Sequence, residues 1–234
     1  MRSDNRKDNE IRELHVLKDV QEQSDGSCLI SLGNTRVLCA VRFDNKVPSF
    51  LRGSGEGWIT AEYSMLPGST NTRTSRNNIN SGRTKEIQRL IGRSIRSAID
   101  LTQIGENTLL IDCDVINADG GTRTAAITGS FIALNNAIKK LQAKKILSNN
   151  INVNAVAAIS VGLMKNNIIL DLNYEEDSKA IADFNFVMDE NKNIIEIQGT
   201  GESGKFTQSQ LMKALDMASI SIKDIINIQK KYLD

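Results

Sequence analysis

The stretch from Thr108 to Leu141 constrains the fold more than any other part of this 234-residue chain. An apolar run, Thr108 to Ile116, reads as a buried strand and stops at Asn117, Asp119 and the pair Gly120-Gly121. A helical pattern then opens, with apolar residues at Ile127, Phe131, Leu134, Ile138 and Leu141. Strand, glycine turn and helix commit this part of the chain to an α/β arrangement. A helix that starts from such a turn leaves backbone N–H groups without partners at the positive end of its dipole, which suits an anion. Gly121, Thr122 and Arg123 add a backbone open to close approach, a hydroxyl donor and a guanidinium fork. The combination fits a phosphate, although the same residues also suit an ordinary capped helix start with a surface arginine.

The segments around it extend the α/β reading. Residues 12–18, 27–32 and 35–43 alternate apolar and polar residues as strands do, with Gly33-Asn34 as a two-residue hairpin turn. A further strand, Trp58 to Tyr63, follows the break at Val47-Pro48, and this half is expected to begin as an antiparallel meander. Residues 68–83 are nearly devoid of apolar side chains and form an exposed loop carrying Arg73 and Arg76. From Thr84 to Leu101 the helical period places Ile87, Leu90, Ile91, Ile95 and Ala98 on one face. Lys85, Arg89, Arg93 and Arg96 form a basic stripe on the other, suited to RNA phosphates, to an acidic subunit surface or simply to water. Beyond the polar connection 149–154, strands are expected at 155–164, 168–172, 182–188 and 193–198, with a turn at 165–167. A last helix opens with Thr207 and Gln210 as a capping box. The fold class is α/β (α+β), with mixed sheets and packed helices in one compact body, and residues 1–10 are expected to fray unless they dock on a partner.

Formal charge is only +1, but it is unevenly spread. Arg52 to Arg96 holds eight basic residues against three acidic ones, whereas Asp171 to Glu190 holds seven acidic residues against Lys179. One segment wants anions and the other cations, as a polyphosphate substrate with a divalent metal would supply. Asp177 and Asp183 lie six apart across a turn and can converge on one site; two acids plus waters and substrate phosphate are what Mg²⁺ usually accepts. His15, the only histidine, sits in a strand pattern, which excludes a Ser-His-Asp triad, paired-histidine nuclease chemistry and a histidine-rich zinc site. Cys28, Cys39 and Cys113 lie in apolar strand contexts without metal-ligand spacing and are read as buried, reduced thiols. No apolar run approaches a membrane span, and the polar N-terminus has no signal core, so a cytoplasmic protein is expected.

Six blocks occur in order: Gly57-Trp-Ile-Thr-Ala-Glu-Tyr63, Gly82-Arg-Thr-Lys-Glu-Ile-Gln-Arg-Leu-Ile-Gly-Arg93, Ile111-Asp-Cys-Asp-Val115, Ala118-Asp-Gly-Gly-Thr-Arg-Thr-Ala125, Glu176-Asp-Ser178 and Glu196-Ile-Gln-Gly-Thr200. In these blocks the chain resembles the ribonuclease PH family over essentially its full length. The resemblance implies the ribonuclease PH fold, related to ribosomal protein S5 domain 2, and a phosphate-dependent 3′-to-5′ exoribonuclease that trims tRNA precursors and releases nucleoside diphosphates reversibly. It further implies a homohexamer built as a trimer of dimers, inorganic phosphate as co-substrate and Mg²⁺. By match of motif, Arg83, Gly121, Thr122 and Arg123 correspond to phosphate-binding residues. Asp177 and Asp183 correspond to active-site aspartates associated with metal and catalysis, and Arg73 and Arg76 to arginines that hold tRNA. Departures are Gly68 where the family commonly has arginine, a shorter arginine loop, and Asn5 in place of a common glycine. The alternatives are a hydrolytic metal-dependent nuclease and a non-catalytic RNA-binding ring subunit.

Overall fold

A computed structural model describes residues 2–165 and 167–233. β1 (Leu14–Lys18), β2 (Gly26–Leu32) and β3 (Thr35–Asp44) form the expected antiparallel meander, with Gly33 at φ 55° in the hairpin turn. β4 (Trp58–Met65) does not continue it. β5 (Thr108–Asn117) inserts between, antiparallel to β3 and parallel to β4, giving the order β1-β2-β3-β5-β4. The crossover that makes β4 and β5 parallel is α1 (Gly82–Arg96), which packs on β4.

α2 (Thr122–Ala143) lies between this sheet and a second one. The second is antiparallel and ordered β7-β6-β8-β9, from β6 (Val156–Leu163), β7 (Ile168–Leu170), β8 (Ala182–Asp189) and β9 (Ile194–Thr200). From Ala125 to Leu134 α2 is apolar or small on all sides and must be covered on all sides, and every residue of that stretch is buried. Close approach is possible where side chains are absent: a Cβ on Gly26 of β2 would lie 2.3 Å from the Ala133 carbonyl oxygen. β6 is buried along its whole length, with α2 on one face and α4 (Gln208–Lys230) on the other. The capping box of Thr207 and Gln210 opens α4. Near its far end the buried Gln229 side-chain amide donates to the carbonyls of Thr128 and Val156, both at 3.0 Å, tying α4 to α2 and β6.

Three expectations need correction. The N-terminal segment is tied to the body of the chain from Arg2 onward. Arg2 is buried, its guanidinium forming two bonds to Glu176 at 2.7 and 2.8 Å and a third to the Asp171 carbonyl at 2.9 Å. Asn5 adopts φ 63°, the left-handed region that asparagine tolerates and glycine favours, which accounts for the exchange of one for the other. The helix expected to reach Leu101 ends at Arg96, because Asp100 caps a separate 3-10 turn, Leu101–Ile104. The basic stripe on α1 is also partly consumed internally. Arg93 forms a two-pronged pair with Glu196 at 2.6 and 2.9 Å, and Arg96 lies 4.3 Å over the Trp58 ring while donating to the Ile59 carbonyl. The turn expected at 165–167 includes residue 166, which lies outside the described residues.

Cys28, Cys39 and Cys113 are buried and unpaired on three adjacent strands, as expected. His15 is on β1, faces outward and pairs with Glu13 at 2.8 Å. Among the described residues no helix is long and apolar enough to cross a membrane.

Candidate active site

The glycine turn between β5 and α2 is braced from three directions. Thr35 Oγ1 donates to the Gly120 carbonyl at 2.6 Å and accepts from the Asp119 N–H at 3.0 Å. Arg12 donates to the carbonyls of Asp119 and Gly120, and its guanidinium is itself held by Asp171 at 2.7 and 3.0 Å. On the third side the Asp119 carboxylate accepts the Tyr174 N–H at 3.1 Å. Gly120 and Gly121 have φ 72° and 64°, and a Cβ on Gly120 would lie 2.4 Å from the Leu172 carbonyl oxygen. Glycine is therefore required at position 120 by both conformation and space. The turn holds the N-terminus of the 22-residue α2 open toward a cleft, with Gly121 as its N-cap and no side chain capping it.

That cleft, about 1020 Å³, is walled by the turn and α1 on one side and by the second sheet on the other. Arg83, Gly121, Thr122, Arg123, Asp177 and Asp183 all line it. Ser81 caps α1 by accepting from the Thr84 N–H at 3.2 Å, and this places Arg83 in the first turn of that helix, exposed. Arg123 is held more tightly: it donates to Gln198 Oε1 at 2.8 Å and lies 3.8 Å from Glu86. The Gln198 amide in turn donates to Glu86 and Glu196 at 3.4 and 3.5 Å. Thr122 accepts a hydrogen bond from the buried Tyr63 hydroxyl at 2.8 Å.

On the acidic wall, Asp177 ends the short helix α3 (Tyr174–Asp177) and Asp183 begins on the second residue of β8. Asp177 is exposed, yet the surrounding cleft wall partly desolvates its carboxyl and raises it above its ordinary range, with Arg83 and Arg123 opposing and Glu202 adding to the rise. Burial and then the neighbouring Asp177 charge raise Asp183, against the pull of Arg123. Asp183 Oδ1 is buried with no hydrogen-bond partner. Asn185 approaches Oδ2 at 3.5 Å. An orphaned carboxylate oxygen beside a second acid fits a divalent cation, which takes one or two carboxylates and fills its remaining positions with water and phosphate oxygen. No cluster of three or more acidic, cysteine or histidine side chains with metal-binding geometry occurs among the described residues, so an all-protein cage is not what the site offers.

Arg73 and Arg76 are not brought into the cleft. They are exposed on the loop that precedes α1, Arg76 in the 3-10 turn Arg76–Asn80, while Thr70, Asn71 and Thr72 of the same loop reach the cleft wall. The sequence reading missed Tyr63, Gln198 and the pair Arg12–Asp171. Tyr63 and Gln198 stand inside two of the quoted blocks, and inward alternation along their strands was the available signal. Arg12 and Asp171 are 159 positions apart and carried none.

Two arginines, a helix N-terminus and two carboxylates facing one cleft are the parts that phosphoryl transfer on an α/β scaffold would use. Models of the 3′ exoribonuclease family match residues 10–140 with its domain 1 and 154–221 with its domain 2, and the chain belongs to this family. It is 49% identical over 226 residues to the protein named Ribonuclease PH of Bdellovibrio bacteriovorus, covering 96% of this chain and 93% of the relative. Among solved structures it is similar to rice Rrp46, with TM-score 0.81 and 19% identity over the full length of both chains. A chain of the Archaeoglobus fulgidus exosome with RNA bound to the active site gives TM-score 0.83 at 20% identity, covering 99% of this chain and 92% of that one. These likenesses bear out the expected ribonuclease PH fold.

Proposed function

We propose that the protein is a phosphate-dependent 3′-to-5′ exoribonuclease that trims the 3′ ends of tRNA precursors and other structured RNAs, releasing nucleoside diphosphates. The observation that carries this reading is the placement of Arg83, Arg123 and the open N-terminus of α2 in the same cleft as Asp177 and Asp183. Its 49% identical relative is named Ribonuclease PH.

Inorganic phosphate is held by the N–H groups of the first turn of α2, the Thr122 hydroxyl and the guanidinium groups of Arg83 and Arg123. One oxygen of hydrogen phosphate attacks the phosphorus of the last 3′ phosphodiester, the bond to the preceding 3′ oxygen breaks, that oxygen takes up the proton the phosphate gives up and becomes the 3′-hydroxyl of the shortened RNA, and the terminal nucleotide departs as a diphosphate. The nucleophile is already anionic, so no strong general base is needed, in keeping with a chain whose one histidine lies on an outer strand face. Rate enhancement then comes from holding nucleophile and phosphodiester in line and from opposing the charge that gathers on the transferred oxygens. Asp177 and Asp183 would hold Mg²⁺, which when bound supplies positive charge against those oxygens. Gln198 and Glu86 keep Arg123 turned toward the cleft before substrate arrives. A phosphodiester is exchanged for a phosphoanhydride, so excess nucleoside diphosphate drives nucleotide addition.

Arg73 and Arg76, outside the cleft and exposed, are suited to the phosphates of the RNA body rather than to the reacting group. The apolar side chains exposed on edge strands β1 and β9, Leu17, Ile194 and Ile197, support assembly with further copies of the chain, for which we propose the homohexamer of the family. Three buried unpaired thiols fit a cytoplasmic setting. The test is product identity: purified protein, Mg²⁺ and an RNA with a single-stranded 3′ tail are incubated with and without phosphate. Nucleoside diphosphate is expected only with phosphate. Monophosphate released without it would establish hydrolysis instead, and no trimming under any condition would leave a binding subunit.

A further inference from the structure

The hydroxyl of Thr122 is governed by a residue from another strand. Tyr63 stands on β4, opposite Cys113 of β5, and its side chain is 2% exposed. Its phenolic O–H donates to Thr122 Oγ1 at 2.8 Å. A threonine hydroxyl has one proton and two lone pairs. Accepting from Tyr63 uses a lone pair on the buried side and leaves the proton to be given elsewhere. A helical threonine ordinarily turns that proton back to a carbonyl of the preceding turn, as Thr124 does with Gly121 at 2.9 Å. Thr122 is the first residue of α2, and its hydroxyl makes no second hydrogen bond among the described residues. Its free direction is the cleft that it lines. Burial raises the Tyr63 phenol above its ordinary range, with the bond to Thr122 and the arginines 83 and 123 acting the other way, so it stays protonated and remains a donor at neutral pH.

We propose that Tyr63 is a positioning residue for the attacking phosphate: by donating to Thr122 Oγ1 it fixes that hydroxyl as a donor aimed into the cleft. Without it, the hydroxyl is free to turn a lone pair toward the anion, which repels. The inference rests on the phosphate-dependent reading of the site, and its test separates the two. Initial rates of nucleoside diphosphate release are measured against phosphate and against RNA for the wild type, Tyr63→Phe, Thr122→Val, Thr122→Ser and the Tyr63→Phe/Thr122→Val and Tyr63→Phe/Thr122→Ser double variants. Tyr63→Phe is expected to raise KM for phosphate about 5-fold, the size of one neutral hydrogen bond, with KM for RNA and kcat at saturating phosphate within about 2-fold. In the Thr122→Val background the same change is expected to alter KM for phosphate by less than about 2-fold, because the hydroxyl it orients is gone. In the Thr122→Ser background, which keeps a hydroxyl to be oriented, Tyr63→Phe should again raise KM for phosphate about 5-fold. An equal effect of Tyr63→Phe in the wild-type and Thr122→Val backgrounds overturns the proposal, as does a loss of kcat and RNA affinity that follows a fall in Tm. A wild type that trims without phosphate overturns the underlying reading instead, whatever the variants do.

Discussion

Asp171→Ala removes the carboxylate on which the N-terminal segment and the glycine turn converge. Asp171 is fully buried, and its carboxylate accepts from the Arg12 N–H at 2.7 Å, from Arg12 Nε and Nη2 at 3.0 and 2.7 Å, and from Arg6 Nη1 at 3.3 Å. The Arg12 side chain is only 5% exposed. Without Asp171 its guanidinium stays inside with the carbonyls of Asp119 and Gly120 as neighbours and no counter-charge in contact. Breaking a buried pair from one side costs about 3–5 kcal/mol. Asp171 also sits at φ 52°, where aspartate and asparagine are tolerated. Alanine adds about 1–2 kcal/mol there. In a chain of this length each kcal/mol moves Tm by about 2–4 °C, so Asp171→Ala should lower it by at least about 8 °C. Asp171→Asn keeps the shape and the backbone tolerance but not the charge, and should still lower it by at least about 6 °C. Thermal unfolding at pH 7 without phosphate measures both, and phosphate titrations should show KM rising as the turn loosens. Values of Tm within about 3 °C of wild type for both variants would refute the reasoning. A fall for alanine alone would assign the effect to the backbone and not to the ion pair.

Asp183→Asn should abolish trimming yet stabilise the metal-free protein at pH 7. The folded carboxyl titrates above its ordinary 3.8, so the stability it contributes is present at low pH and lost as pH rises through the folded value. The gain in Tm should accordingly shrink as pH is lowered toward that value, and added Mg²⁺ should raise the Tm of the wild type but not of the variant. Chelation should stop wild-type turnover, read as diphosphate release. Replacing Arg73 or Arg76 with alanine should weaken tRNA binding and flatten its salt dependence by about one counterion each while leaving KM for phosphate unchanged; filter binding across a salt series reads the first and steady-state rates the second. Gly26→Ala places a methyl group 2.3 Å from the Ala133 carbonyl oxygen and 2.4 Å from the Ala137 nitrogen, backbone atoms that cannot yield separately. It should cost about 3 kcal/mol, measured by urea denaturation.

The elements and one end of the site were legible because they depend on neighbours in sequence. The run Thr108 to Ile116, the two glycines and the apolar period after them specify β5, a left-handed turn and α2 whatever else the chain does. The capping box at Thr207 is equally local. Arg83, Thr122 and Arg123 were found by their motifs, and Asp177 and Asp183 by their spacing across a turn. The position of β4 was not legible, since alternation along Trp58 to Tyr63 marks a strand without choosing its partner. Only the α1 crossover sets it beside β5, and that placement brings the Tyr63 hydroxyl to Thr122. The charged stripe on α1 was only partly legible for the same reason: a wheel shows which side chains share a face, not that Glu196 and Trp58 wait opposite two of them.

Sequence alone therefore determined the strands, the helices, the glycine turn that opens α2 and the separation of basic from acidic segments, all consequences of periodicity and local backbone chemistry. Tertiary structure decided what holds those parts in register. The polar N-terminal residues that sequence marks as loose are fixed because Arg2, Arg6 and Arg12 find Asp171 and Glu176 between 159 and 174 positions away, and a buried guanidinium is stable only beside such carboxylates. Pairings at that distance leave no period to read in the sequence.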